Sequence, residues 1–252
     1  MVDAIIQARM GSIRFPGKVL EIIEGKPLLF YVVERLKKTK SVGDIILAIP
    51  DSAENDALLK FAEENKIKCF RGSEEDVLSR FYFAAKENGS KDILRMCADR
   101  PLIDPKLIDF VAEKYFKSQV DYISTRINHT FPEGFTVEIF KFSALEEAFK
   151  NAKEPNHREH VTPYIYANAK NFKIASVESK EDFSFMRLTV DEEKDVKFLK
   201  EVLKSKSNLN FKELANFLKN HPEITKINSS INQVRLKEQE NKIFNHKYIY
   251  VA

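Results

Sequence analysis

The chain has 252 residues, 43% hydrophobic and 31% charged, enough for one large α/β domain with at most a small appendage. A net charge of +3 is too small to argue for a nucleic-acid surface. No apolar run reaches the roughly 18 residues of a membrane span, and two cysteines, Cys69 and Cys97, are too few for a disulfide framework or a zinc site. With no charged leader before the first apolar run, the expected setting is the reducing cytoplasm, without a membrane or nucleic-acid partner.

The run Ala4-Ile5-Ile6-Gln7-Ala8 reads as a buried strand entering the loop Arg9-Met10-Gly11-Ser12-Ile13-Arg14-Phe15-Pro16-Gly17-Lys18. The first strand of an open α/β sheet delivers its loop to the carboxyl edge, where such sheets bind ligands. Gly11 and Gly17 let backbone N–H groups approach oxygen, and Arg9, Arg14 and Lys18 supply charge, so the loop reads as a polyphosphate cradle or as a solvated basic loop. Ile45–Ile49 is a second strand, and Asp51 to Glu54 offer caps for a helix with Ala57, Leu58, Phe61 and Ala62 inward. Ile67–Phe70 is a third strand, followed by Arg71-Gly72-Ser73 and a helix with Val77, Phe81, Ala84 and Ala85 inward. Asp92–Met96 is a fourth strand, and Pro105 opens a helix with Leu107, Ile108, Val111 and Tyr115 inward. Repeated βα units over residues 1–118 predict a mostly parallel sheet with helices on both faces.

The middle differs. Residues 119–142 read as strands broken by Asn128-His129 and Pro132-Glu133-Gly134, and residues 143–168 read as helical. Phe172–Val177 and Met186–Val190 return to strand, Asp191 opens a helix to about Ser205, and 208–221 form a short amphipathic helix. From Ser229 the chain is polar, with the charge run Lys237-Glu238-Gln239-Glu240, before Tyr248–Val251, which reads as a docked edge strand or a frayed end.

Asp99 and Asp191 each follow a strand. Two hard oxygen ligands plus substrate phosphates are the usual way to hold magnesium; equally, Asp99 can start a turn before Pro101 and Asp191 can cap a helix. Arg71 and Ser73 suit a cytosine edge or a ribose, and Ser73 suits the cap of the following helix. His157 and His160, three apart, share a helical face, but no third soft ligand supports zinc. Arg95, in a buried strand, asks for an anion: a bound acceptor, or Glu138 inside the protein.

The segment from Ala4 to Leu20 resembles the opening of the bacterial spore-coat polysaccharide biosynthesis protein F group, relatives of the cytidylyltransferases that activate 3-deoxy-manno-octulosonate and acylneuraminate. It is neither the dinucleotide G-x-G-x-x-G nor a Walker P-loop, which turns the expectation from oxidoreductase or NTPase toward nucleotidyl transfer. Arg71-Gly72-Ser73, Asp99 with Pro101-Leu102-Ile103-Asp104-Pro105, Arg158-Glu159-His160-Val161-Thr162 and Leu188-Thr189-Val190-Asp191 extend the resemblance over residues 2–230. It implies a Rossmann-like nucleotidyltransferase fold, a mostly parallel mixed sheet flanked by helices, spanning 1–230, with an insertion at about 119–168 for acceptor binding and homodimer formation and a tail at 231–252. The implied reaction moves CMP from CTP to an acidic sugar, releasing pyrophosphate. The implied nucleotide site is Ala8, Arg9, Met10, Gly11, Ser12, Arg14, Lys18, Arg71, Gly72, Ser73, Arg80 and Asp99. Arg9, Lys18, Asp99 and Asp191 are the implied catalytic set, with Asp99 and Asp191 as ligands of Mg2+. Arg95, Arg126, Glu138, Arg158 and His160 are the expected acceptor contacts. Thr136 stands where an aspartate is common, and Arg100 where a smaller residue is, which keeps a phosphate or phosphonate acceptor open. Glycosyl transfer from a nucleotide sugar and a catalytically silent nucleotide-binding subunit are the competing readings.

Overall fold

A computed structural model describes residues 1–205, 209–231 and 248–251. Strand β1 (Val2–Gln7) is followed by the basic loop, a 3-10 turn at Lys18–Leu20, and a small antiparallel hairpin of β2 (Ile22–Ile23) and β3 (Lys26–Pro27). Helix α1 (Leu28–Lys37) comes next, then β4 (Val42–Pro50), α2 (Asp56–Glu64), β5 (Lys68–Gly72), α3 (Val77–Asn88), β6 (Asp92–Cys97) and α4 (Pro105–Ser118). The middle holds β7 (Tyr122–Ser124), β8 (Glu138–Lys141) and helices α5 (Phe142–Asn151), α6 (Pro155–His160) and α7 (Pro163–Ala167). Then follow β9 (Ile174–Glu178), α8 (Glu193–Ser205), α9 (Phe211–Asn220), α10 (Pro222–Lys226) and β10 (Tyr248–Val251).

The main sheet runs β10-β9-β7-β8-β6-β1-β4-β5. All its neighbours pair in parallel except β8, which is antiparallel to both β6 and β7. This is the expected mostly parallel mixed sheet. Alternate strand residues feed two cores. Ile6, Leu47, Leu94 and Ile123 point to the face carrying α1, α2, α4, α8 and α9, whereas Ile5, Ile46, Ile93 and Tyr122 point to the face carrying α3, α5 and α7.

Four differences from the sequence reading have local causes. Helix α1 has no side-chain cap and starts straight after extended Pro27, so it lacked an N-terminal signal; its apolar stripe, Leu28, Leu29, Val32, Val33 and Leu36, is buried. Met186–Val190 alternates like a strand but pairs at one bridge only, Glu133 with Arg187. Helix α8 begins at Glu193, so Asp191 stands in the connection, outside the helix. Asp76, not Ser73, caps α3, accepting from Ser79 N, while Ser73 Oγ accepts from Asp76 N at 3.1 Å. Tyr248–Val251 is an edge strand on β9, with Tyr248 opposite Ala175; the charge run at 237–240 lies outside the described residues.

Gly134 joins the middle region to the segment before Asp191. Its φ is +104°, and a Cβ there would sit 2.8 Å from the backbone of Leu188. Only glycine fits that approach.

Candidate active site

The loop after β1 is folded by its own backbone and by one buried amide. Met10 O accepts from Ser12 N at 2.8 Å and Gly17 N at 2.9 Å, and Met10 N donates to Asn55 Oδ1 at 2.9 Å. Asn55 is 1% exposed and donates in turn to Ser52 Oγ. Gly17, at φ +73°, takes the left-handed turn that starts the 3-10 segment and carries Lys18 inward.

Lys18 is buried, and its ammonium donates to Asp191 Oδ1 at 2.6 Å, Val190 O at 2.9 Å and Asp99 Oδ2 at 3.5 Å. Burial alone would lower its pKa, but Asp99 and Asp191 outweigh burial and raise it. Burial works against the Asp191 carboxylate, yet Lys18, Arg14 and Arg187 together hold its pKa below the usual value. Arg14 Nη2 reaches Asp191 Oδ1 at 3.2 Å. The structure thus brings Arg14, Lys18, Asp99 and Asp191 to one place at the carboxyl edge of the sheet.

Asp99 Oδ1 is buried and has no hydrogen-bond partner among the described residues. An orphan carboxylate oxygen beside a second carboxylate fits a hard cation such as Mg2+. Among the described residues no three acidic, histidine or cysteine side chains gather as a ligand set. A magnesium ion held by Asp99 and Asp191 would need its other ligands from substrate phosphate and water, its common habit.

A second cationic group flanks the loop. Arg80, 2% exposed, donates through Nη1 to Ser73 O at 2.5 Å and Glu74 O at 3.0 Å, while its Nε has no partner among the described residues. Burial first, then the nearby charge of Arg9, pushes its pKa down to about 10. Arg9 is exposed and makes no ion pair among the described residues. Arg71 is committed elsewhere: its guanidinium bonds Asp51 Oδ1 at 3.0 Å, Asp56 Oδ1 at 2.6 Å and Ser52 O at 2.9 Å. It braces the end of β5 against the start of α2, and contact with a base requires it to leave two carboxylates.

Below α6 and α7 lies a buried polar row. Arg95 on β6 is paired in register with Glu138 on β8, Glu138 with Ser124 on β7, and Ser124 with Ser176 on β9. Arg95 Nη1 donates to Glu138 Oε2 at 2.5 Å and Nε to Gln7 Oε1 at 3.2 Å. Glu138 Oε1 accepts from Tyr122 Oη at 2.8 Å and Thr162 Oγ1 at 2.6 Å. Burial would raise the Glu138 pKa; Arg95, the Thr162 hydroxyl, Arg100 and Arg126 hold it at about 2. His160, whose pKa is lowered chiefly by burial, stands beside the same charges. Arg100 donates to Thr136 O at 2.9 Å, but among the described residues its buried Nε has no partner, and neither has Ser176 Oγ.

Arg158, expected at the acceptor, is engaged within the protein. Its Nε donates to both oxygens of Asp76 at 3.1 Å, its Nη2 also bonds Asp76, its Nη1 donates to Phe149 O and Ala152 O, and the guanidinium lies over the Phe149 ring. These contacts tie α6 to the cap of α3 and to the end of α5. His157 packs edge-on against Tyr164. Sequence reasoning missed Asn55, Arg187, Asp195 and Ser176. An asparagine after Ser52 was the only local signal among them, because the other contacts form across the fold.

Comparison with known proteins agrees with this geometry. The chain is 41% identical over 243 residues to an uncharacterized protein of Methanocaldococcus jannaschii, covering 95% of this chain and 99% of that one. It is 33% identical over 203 residues to the spore coat polysaccharide biosynthesis protein SpsF of Bacillus subtilis, covering 78% of this chain and 83% of that one. The solved structure of a cytidylyltransferase from Leptospira borgpetersenii superposes with a TM-score of 0.86 at 30% identity, over 93% of this chain and 98% of the other. The cytidylyltransferase family model matches residues 4–243. A basic loop after the first strand, a buried lysine between Asp99 and Asp191 and this match belong together: the chain is a member of the cytidylyltransferase family, a CTP-dependent nucleotidyltransferase.

Proposed function

We propose that the protein transfers CMP from CTP to a small anionic acceptor, an acidic sugar first among them, with release of pyrophosphate. The observation that carries this reading is the meeting of Lys18 with Asp99 and Asp191, 81 and 173 residues away in sequence, beside the loop that follows β1. An acceptor oxygen attacks the α-phosphorus, the bond to the β-phosphate oxygen breaks, and charge grows on pyrophosphate. Little covalent chemistry is asked of the protein; it must align the two reactants and neutralise that charge. Arg9, Arg14, Lys18 and Arg80 supply four cations around the loop, and the unpaired Nε of Arg80 is a donor already desolvated for phosphate oxygen. Asp99 and Asp191 would hold Mg2+, which when bound polarises the α-phosphate and acidifies the attacking hydroxyl.

On the acceptor side, Arg95, Arg100 and Arg126 all act on Glu138 and help to hold it ionised. A group of guanidiniums there suits an acceptor carrying a carboxylate or phosphate group. The SpsF relative is named for polysaccharide biosynthesis, which favours the sugar. Self-association through residues 119–168 belongs to the same reading; a monomer in light scattering would contradict that part. The central test measures pyrophosphate from each of the four nucleoside triphosphates with Mg2+ and a panel of ulosonic acids and small phosphorylated acceptors, with product mass. Release with CTP and an anionic acceptor is expected. Equal turnover of neutral sugars would refute the acceptor class.

A further inference from the structure

The two oxygens of Asp191 have different jobs. Oδ1 faces Lys18 and Arg14, whereas Oδ2 accepts from Arg187 Nη2 at 2.9 Å. The same Nη2 donates to Asp195 Oδ2 at 2.8 Å, and Arg187 Nε donates to Asp195 Oδ1 at 2.9 Å. Asp195 is fully buried. Besides Arg187 it accepts from Asp191 N at 2.9 Å, Glu192 N at 3.1 Å and Asn228 Nδ2 at 3.0 Å. Asn228, 3% exposed, also donates to Arg187 O at 3.3 Å. The Asp191 main chain and one side-chain oxygen are therefore fixed by a single buried carboxylate and its arginine, and that carboxylate is braced from beyond α10.

We propose that Arg187 and Asp195 are positioning residues that present Asp191 to the cation as a one-oxygen ligand, with Asn228 as their support. The inference rests on the metal reading above. Arg187 is suited to this: its planar fork spans Asp191 and Asp195 at once, which a lysine cannot do. Asp195 also caps α8 through Glu192 N, so loss of stability on mutation would not by itself reveal the positioning role. Metal affinity does, because two effects have opposite sign. By charge alone, removing the cation that contacts Asp191 makes the site more negative and tightens cation binding. If Arg187 orients the ligand, removing it loosens binding, and outer partners of metal ligands are typically worth about 10–100-fold.

The test is Mn2+ binding to the full chain, read from the loss of the free-ion EPR signal, with thermal melts to confirm folding. Asp191→Asn is expected to weaken binding and defines the site. Arg187→Met should weaken it by about 10–100-fold, and Arg187→Lys by less, since a lysine restores one contact to Asp191. Asn228→Ala changes no charge and should weaken binding several-fold; it decides the matter if Arg187→Met does not fold. Unchanged or tighter Mn2+ binding in these variants, with Asp191→Asn weakened, overturns the positioning role alone. If Asp191→Asn binds Mn2+ as the wild type does, the metal reading itself fails.

Discussion

Two charge clusters in this molecule are built on opposite accounts. At the carboxyl edge, Arg14, Lys18 and Arg187 stand against Asp99, Asp191 and Asp195, three of each sign, and the contacts reach from the half-exposed Arg14 to the buried Asp195. Under α6 and α7, Glu138 is bonded to Arg95 and lies in the field of Arg100 and Arg126, within a row buried in the sheet. The six groups of the first cluster balance in charge; on the proposed function, a substrate bringing its own cation and phosphates would trade partners there, Lys18 passing from carboxylate to phosphate. In the second, sheet register fixes Arg95 opposite Glu138, and on the same reading the row would select its ligand by charge rather than by exchange. The difference would then separate two tasks: the edge would handle a reaction in which charge moves, and the row would sort what is admitted to it.

The strongest way to break this comparison is at the edge. Asp99→Asn and Asp191→Asn should each lower turnover by on the order of 10³-fold while leaving the melting temperature nearly intact. Full activity in EDTA would contradict the division. Lys18→Ala should cost roughly 2–4 kcal/mol in kcat/KM and raise the KM for CTP. Near-normal kinetics would mean that the ammonium only neutralises the two aspartates.

The row is tested by stability and pH. Glu138 has a folded pKa near 2 against an ordinary 4.5, so its ionised form contributes stability that is fully present above about pH 4.5 and is lost as pH falls toward 2. Glu138→Gln leaves Arg95 without its charge partner and should cost about 3–5 kcal/mol near neutrality. The gap between wild type and variant should narrow from pH 5 to pH 2 in urea melts. The smallest effect expected is at Arg158. Arg158→Ala should lower stability by roughly 1–3 kcal/mol, since a charged hydrogen bond is lost, and leave the acceptor KM unchanged. A large rise in that KM would return Arg158 to the acceptor site and blur the separation of the two clusters.

Sequence revealed what local chemistry can announce. The apolar run and glycines before Lys18, the turn at Asp99 and the Leu188-Thr189-Val190-Asp191 segment were legible because strand, punctuation and charge lie within a few residues of each other. Arg95 was legible as a problem, a cation inside a strand, and Glu138 was named as its internal answer, which is the contact the structure holds. Arg158 misled because the cap that absorbs it, Asp76, lies 82 residues away. Ser176 and Asn228 carry no local mark at all: one gains meaning only from β-strand register, the other only from the return of the chain beyond α10 to the active edge. Helix α1 was silent for lack of a capping residue, and Met186–Val190 spoke as a strand because alternation marks an extended chain with one apolar face whether or not a partner strand is present.

The approach of Gly134 to Leu188 has a consequence for engineering this enzyme. The middle region and the segment that delivers Asp191 touch backbone to backbone at that point, with no side chain to absorb a mismatch. A chimaera that imports another protein's residues 119–168 to change the acceptor must therefore keep glycine at 134 and the path of 186–190 together, or it will displace Asp191 along with the specificity it meant to alter. The two parts of the enzyme are free to diverge in their side chains and are coupled in their main chains.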